Sequence, residues 1–592
     1  MKKSGRTAFA FACGILALIW AASCARMVVR TDLTLRPSDI RWVEKTMRKM
    51  TLEEKVGQMV ACRYTGRFFN RESAYVREMK TLITEQKIGG LIIFGGNVYE
   101  TAILTNAFQK MARVPLLVAS DFERGAGNQI DGATLFPPLM SLGAADSEDL
   151  AYSMGRITAL EGRAMGIHIT YAPVVDVNIN PDNPIINTRS VGEDPEQVSR
   201  ITRAFIRGCQ EHGLIATAKH FPGHGDTALD SHSVLATIPG DRKRLERIEL
   251  YPFRKAIEAG VQAIMTAHLR VPALDPTPNL PATLSRPILT GVLRKEMGFR
   301  GLIVTDAMGM GGVTTLFEPE EAAIRAVQAG VDMLLLPPKP AEVIEALVQA
   351  VRSGEIAASR IEASVRRILS AKARLGLHRN RYVDIQALDT LIGRPEYLEQ
   401  AEKAFDMSMT LVKNEGPVLP LGSEIEHLAV LSLSSDPGGY FAGRTFVSEV
   451  KKRVSGAHEF FAEASTGEEF LLEAEARAQE MDAVVVGFFS RLRAGKGSVD
   501  LEPRHVELVK RLSETSVPVV AVSFGSPYFL RHFPDVDAYI CAYRYSAEAQ
   551  RSAVKALFGE IDVTGRLPVS IDGLYPRGHG LILNRIDKKD IR

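Results

Sequence analysis

The densest chemical signal in the chain is Lys219-His220-Phe221-Pro222-Gly223-His224-Gly225-Asp226-Thr227, which continues to Asp230-Ser231-His232. Three of the 12 histidines and two aspartates fall within these fourteen residues. Metal binding is one chemistry they could do, since His220 and His224 stand four apart, as in helical zinc motifs. Pro222 and Gly223 lie between them and Gly225 follows, so no regular helix puts both rings on one face. A loop that only satisfies its own backbone with His and Asp side chains is a second option. The third is acid/base catalysis by a His–Asp pair. A carboxylate such as Asp230 can hold a neighbouring imidazole in one tautomer and stabilise its charged form. A mobile loop could carry such a pair onto a bound substrate. Histidine, with a reference pKa of about 6.5, can both donate and accept a proton near neutrality. Alone, the pattern says proton transfer and nothing about the substrate.

Something must position this loop, and the first half of the chain supplies a regular frame. Apolar runs recur at Val56–Cys62, Gly89–Phe94, Pro115–Ser120, His168–Val175, Leu214–His220, Val261–His268, Gly301–Thr305 and Val331–Leu335. Helical patterns lie between them, as at Val98–Ala112, Asp146–Met165, Pro195–His212, Arg242–Ala259 and Pro319–Ala329. Continuous apolar runs of this length suit parallel strands covered on both faces. Eight strand–helix units predict a (β/α)₈ TIM-type barrel rather than an open sheet. Catalytic groups then belong at the carboxyl ends of the strands. Asp121 follows the third run, Lys219 and His220 end the fifth, His268 ends the sixth and Asp306 follows the seventh. The loops after the third, fourth and fifth runs are long, at roughly 20 residues each, where 2–6 are ordinary. Ionisable residues thus collect at one end of the predicted barrel.

A second alternating pattern follows residues 377–396, which read as a linker packed across the surface. Its strands are expected at His427–Leu433, Asp482–Phe489, Val517–Phe524 and Ala538–Ala542, with helices at Gly467–Glu480, Pro503–Thr515 and Ala547–Phe558. This predicts an α/β/α sandwich domain over 397–592, after a barrel over 38–376. Gly438-Gly439 and Gly495-Lys496-Gly497 lack the strand–loop–helix spacing of a phosphate loop and read as turns.

Composition sets the outer bounds. The chain has 592 residues, with 72 Lys+Arg against 70 Asp+Glu and 46% hydrophobic residues. That balance excludes a disordered chain and a polytopic membrane protein, and a net charge of +2 argues against a nucleic-acid partner. Lys2, Lys3 and Arg6 precede an uncharged run from Ala8 to Ala22 that closes on small residues before Cys24. Residues 1–24 therefore read as an export signal, with an uncleaved amino-terminal anchor as the alternative. Cys24 resembles the lipid-attachment cysteine of a bacterial lipoprotein, which would be the chain's only membrane attachment. The expected location is periplasmic or membrane-anchored. Cys62, Cys209 and Cys541 are far apart with no CxxC spacing, so they are expected to be buried small hydrophobes.

The string Lys219–His232 resembles the acid/base loop of β-N-acetylglucosaminidases of glycoside hydrolase family 3. A second block, Leu293 to Met308 with Val304-Thr305-Asp306-Ala307 at its core, resembles that family's nucleophile signature. A third, Asn183-Pro184 through Arg189-Ser190-Val191-Gly192-Glu193-Asp194-Pro195, is similar to the loop carrying a sugar-binding arginine. Asp121 with Glu123 and Gly125 matches the sugar-binding aspartate region, from which Arg124 and Asn128-Gln129 depart. Leu411 to Asn414 and Gly565 to Pro568 extend the resemblance into the second domain. The resemblance implies Asp306 as nucleophile, His232 as acid/base and Asp230 as its orienting carboxylate. It implies Asp121, Arg189, Lys219 and His220 as contacts to sugar hydroxyls. His224 and Asp226 would shape the loop, and His268 either lines the pocket or caps a strand end. No metal or cofactor is implied. The implied activity is retaining release of terminal β-linked N-acetylglucosamine, from peptidoglycan-derived fragments. Four alternatives stay open: a β-glucosidase or β-xylosidase of the same family, transfer to phosphate in place of water, a metal-dependent hydrolase, and a lipoprotein that binds wall sugars without cleaving them.

Overall fold

A computed structural model of the chain describes residues 34–490 and 501–586. The export run, Cys13 and Cys24 lie outside the described residues. Eight strands close into a parallel barrel: β1 Val60–Gly66, β2 Gly90–Asn97, β3 Leu117–Ser120, β4 Ile169–Thr170, β5 Ile215–Phe221, β6 Ala263–Thr266, β7 Leu302–Ala307 and β8 Met333–Leu335. Each pairs with its sequence neighbours, and β8 returns to β1 through Val60↔Leu334. All seven residues of β5 are buried, as expected of a strand packed inside and outside by other layers. Cys62, Cys209 and Cys541 are buried free thiols, and burial pushes the Cys62 thiol up to about 12.

Local chemistry explains where the elements depart from the apolar runs. Val56 belongs to the helix Leu52–Gly57, held by a reciprocal cap between Thr51 and Glu54, and β1 begins only at Val60. The run His168–Val175 pairs as a regular strand over only two residues. Pro173 has no ladder N–H to offer, and the chain continues beside β5 by a single bridge from Val174 to Lys219. The predicted helix Asp146–Met165 is the second of two, Leu139–Ala145 and Glu148–Ala164, separated where Asp146 turns left-handed with φ 47°. Arg242–Ala259 likewise divides into Arg242–Arg247 and Leu250–Glu258. Pro252 would remove the hydrogen bond to Ile248 and crowd its carbonyl, so one continuous helix cannot form.

Residues 377–396 form a strap across the barrel's outside. Asn106 bonds both backbone groups of Val383, and Gly393 N–H donates to the buried Glu161. The helix Pro395–Ser408 then sets Tyr397, Ala401 and Ala404 in the barrel's core and Phe405 in that of the next domain. That domain is a six-stranded sheet in the order β9-β14-β13-β12-β10-β11. Its strands are β9 Thr410–Asn414, β10 His427–Ser434, β11 Gly456–Ala462, β12 Ala483–Phe489, β13 Val519–Ser523 and β14 Ala538–Cys541. Along β10, Ala429, Leu431 and Leu433 enter one core while Leu428 and Val430 enter another. Helices therefore cover both faces, which is the predicted three-layer sandwich. Two of its strands are not visible in the hydrophobic pattern. β11 is an edge strand whose His458 and Glu459 face solvent, and β9 is the antiparallel strand at the opposite edge.

Candidate active site

The carboxyl ends of β3, β4, β5 and β7 open onto a cavity of about 580 Å³. Lys219 lies near the carboxyl end of β5, almost fully buried, and its ammonium donates to Asp121 Oδ1 at 2.8 Å and reaches Glu123 Oε1 at 2.7 Å. Arg189 grips the same Glu123 with both arms, Nη2 to Oε1 at 2.7 Å and Nε to Oε2 at 3.0 Å. Burial raises the Glu123 carboxyl, but the Arg189 and Lys219 charges outweigh it and hold the group well below the usual range. Burial lowers the Lys219 ammonium, and Asp121 and Glu123 reverse that to a net rise. The result is a preorganised lattice of two cations and two carboxylates, suited to polar groups on a ligand.

His220 stands beside this lattice with Nδ1 2.7 Å from Asp176 Oδ2 and Nε2 3.4 Å from Arg189 Nη2. Asp176 also accepts the backbone N–H groups of His220 and His224, so one buried carboxylate pins both ends of the Lys219–His224 turn. Sequence reasoning did not single out Asp176. It is the first ionisable residue after the fourth apolar run, so the strand-end rule that located Asp121 and Asp306 would have found it. Asn183 adds a second tie by donating to His224 O at 2.9 Å. The His224 ring packs inside the loop with Nε2 2.7 Å from Ser231 Oγ, and Arg244 binds Asp226. These two residues shape the loop, and the arrangement leaves the His220 and His224 imidazole rings engaged by different partners. Among the described residues no group of three or more His, Cys, Asp or Glu side chains is arranged to hold a metal ion.

Burial and the neighbouring His220 push the His224 imidazole down to about 4. An unfolded histidine binds its proton near pH 6.5, so between pH 6.5 and 4 the unfolded chain takes up a proton that the native one refuses. Stability is therefore expected to fall with decreasing pH across that window, by about 1.4 kcal/mol per pH unit from this residue. Thermal melts at stepped pH should show that slope flattened in His224→Gln.

Asp306 ends β7 and receives the Ala307 N–H at 2.7 Å. Burial raises its carboxyl, but the fields of His220, His268 and Lys219, with the Ala307 bond, bring it down to about 2. It is thus an anion throughout the neutral range. His268 does not line the cavity. It lies behind Asp306 with Nδ1 on Thr283 Oγ1 at 2.9 Å and Nε2 on Ala307 O at 3.0 Å, which fixes the backbone carrying the carboxylate.

Asp230 and His232 form the pair that the sequence suggested. Asp230 Oδ1 accepts both the His232 N–H at 2.8 Å and Nδ1 at 2.9 Å, leaving Nε2 for other partners. The Asp230 side chain is 4% exposed and that of His232 34%, so the carboxylate is covered while the imidazole is reachable. The loop docks onto the segment just after Asp306. Gly311 N–H donates to His232 O at 2.9 Å and Gly312 N–H to Ser231 O at 3.1 Å. Asp306 and His232 consequently face one cavity. A methyl at Gly311 would lie 2.5 Å from Ser233 O and 2.8 Å from His232 O. Gly311→Ala is expected to lift the loop and lower kcat about 100-fold on substrates needing an acid, with a Tm change too small to account for it.

The second domain closes the cavity with Ser490, Phe524, Ser526, Phe529 and Tyr543 to Tyr545. It also clasps the Arg189 loop. Glu193 takes the N–H and hydroxyl of Ser570, Asn178 bonds Tyr528 at 3.0 Å, and Gly192 lies where any Cβ would strike Pro568 O.

Comparison with known proteins shows the family. The profile of the glycosyl hydrolase family 3 N terminal domain matches residues 51–371, and that of the family 3 C-terminal domain matches 409–576. The chain belongs to glycoside hydrolase family 3. It is a glycoside hydrolase. A β-N-acetylglucosaminidase/β-glucosidase of Cellulomonas fimi is 30% identical over 91% of this chain and 98% of its own length. A β-hexosaminidase A of Pseudoalteromonas piscicida is 34% identical over 59% of this chain and 64% of its own. Among solved structures, a family 3 β-N-acetylglucosaminidase of Paenibacillus sp. str. FPU-7 superposes with a TM-score of 0.79 at 33% identity, covering 88% of this chain and 99% of that one. A β-glucoside phosphorylase, BglX, gives 0.82 at 28% identity over 92% of this chain and 99% of that one.

Proposed function

We propose that this family 3 hydrolase is a retaining exo-β-N-acetylglucosaminidase. The observation that carries the proposal is the Asp230–His232 pair docked beside Asp306 on one cavity. Asp306 attacks the anomeric carbon while His232 Nε2–H protonates the departing glycosidic oxygen. The C1–O bond breaks as the Asp306–C1 bond forms, through an oxocarbenium-like transition state. The imidazole, now neutral and held in one tautomer by Asp230, removes a proton from water as that water displaces Asp306. Asp121, Lys219, Arg189 and His220 hold the sugar's polar groups during both steps. The similarity to the Cellulomonas and Paenibacillus enzymes supports N-acetylglucosamine as the sugar. The export signal at 1–24, with lipid on Cys24, would place the enzyme outside the cytoplasm, where peptidoglycan-derived fragments are the substrates at hand.

A panel of aryl β-N-acetylglucosaminide, β-glucoside and β-xyloside tests the proposal. The N-acetylated sugar should have the highest kcat/KM, by about tenfold or more, as expected when a site built to hydrogen-bond one substituent meets analogues lacking it. Preference for the glucoside would overturn it. Running the panel with and without phosphate separates release to water from release to phosphate.

A further inference from the structure

One feature of the cavity is not used by the mechanism. Among the described residues, Arg124, Arg189, Lys219 and Arg544 line it together with Asp121, Glu123 and Asp306. Lys219 and Arg189 are committed to Asp121 and Glu123, and Asp306 lies across the barrel. Arg124 comes from the loop after β3 and Arg544 from the segment after β14, so each domain brings one guanidinium to the same wall. Arg124 Nε is buried with no hydrogen-bond partner. Burying a guanidinium N–H without an acceptor is costly, and the cost is removed if a ligand supplies one.

The barrel fixes which part of a ligand that is. In the closed order β3 and β7 are four strands apart in a ring of eight, so Arg124 stands on the rim opposite Asp306. The His232 loop is docked on the β7 side. A sugar with C1 over Asp306 therefore directs the far end of its ring, and the substituents there, toward Arg124. An anion acting as acceptor at C1 would need to be at the other rim.

We propose that Arg124 and Arg544 form an anion subsite for a negatively charged substituent on the terminal sugar itself. The inference rests on the N-acetylglucosaminidase reading and narrows it to sugars bearing a carboxylate, sulfate or phosphate away from C1. Planar guanidinium forks match all three groups. The depression of the Arg124 guanidinium to about 9, by burial and then by the Arg544 charge, fits a site awaiting an anion.

Three aryl glycosides test it with the full chain: the neutral β-N-acetylglucosaminide, its 6-sulfate, and the 3-O-lactyl sugar, whose charge is a carboxylate. At least one anionic glycoside should exceed the neutral one in kcat/KM by about tenfold, the worth of a charged hydrogen bond. Which of the two does so identifies the substituent. Arg124→Met and Arg544→Met should each reduce that ratio about tenfold. Equal losses on charged and neutral sugars would overturn the assignment, as would a wild-type preference for the neutral sugar. Inhibition of the neutral substrate by inorganic sulfate, lost in Arg124→Met, with both anionic glycosides rejected, would mean a free-anion site and would also overturn it. Turnover of the neutral glycoside distinguishes the two levels. If it is present without any anionic preference, only this inference fails; if none of the three is cleaved, the N-acetylglucosaminidase reading fails with it.

Discussion

Asp306→Asn is expected to lower kcat by roughly ten-thousand-fold or more on every substrate, aryl glycosides included, because no bond to C1 can form without the carboxylate. The loss should be independent of leaving group, since both good and poor ones need the same attack. Folding should tolerate the change. The carboxyl lies at about 2 in the native state, depressed from an ordinary 3.8, so its contribution to stability is present above pH 3.8 and is lost as pH falls toward 2. Removing it at neutral pH costs no more than a few kcal/mol. Activity measured well below Tm therefore reports chemistry. The same depression means that Asp306 does not titrate near neutrality, so the acid limb of a kcat/KM profile above pH 4 belongs to another group.

His232→Ala is expected to separate substrates by leaving group. A general acid contributes about 10²–10⁴-fold when the departing oxygen needs a proton. Alkyl and sugar leaving groups should lose activity on that scale. An activated aryl group departs unaided, so its first step should fall by less than about tenfold and the glycosyl-enzyme should accumulate, because water then lacks its base. A burst of aryl alcohol followed by a slow steady state is the expected signature in stopped-flow traces. Equal losses on both substrate classes, with no burst, would remove His232 from the acid role and leave Asp230 and the loop as scaffolding.

Much of the site was legible because a barrel converts one-dimensional order into position. Each apolar run that ended in an ionisable residue delivered that residue to the same rim, and Asp121, Lys219, His220 and Asp306 all arrived there. Asp230 and His232 were legible for a different reason, as two residues of one short loop. The pairing of Glu123 with Arg189 and Lys219 was not, since 66 residues separate Glu123 from Arg189 and no local spacing links them. His268 was ambiguous for a related reason. A strand-end histidine can turn inward or back, and only the positions of Thr283 and Ala307 decide. Edge strands β9 and β11 escaped because strands at a sheet's margin carry polar residues and lose the apolar signature. The contribution of the second domain to the cavity was invisible in the sequence, since Tyr543 to Tyr545 carry no motif and gain meaning only by lying against the barrel mouth.

The most direct test of the account is to trap the sugar on the enzyme. A fluorinated N-acetylglucosaminyl fluoride that forms the first intermediate quickly and hydrolyses slowly should inactivate the full-length protein. Peptide mass spectrometry should then place one sugar on the fragment containing Asp306, with none on Asp230 or Glu123. Label on another carboxylate, or turnover that inverts the anomeric centre without any label, would contradict the central claim.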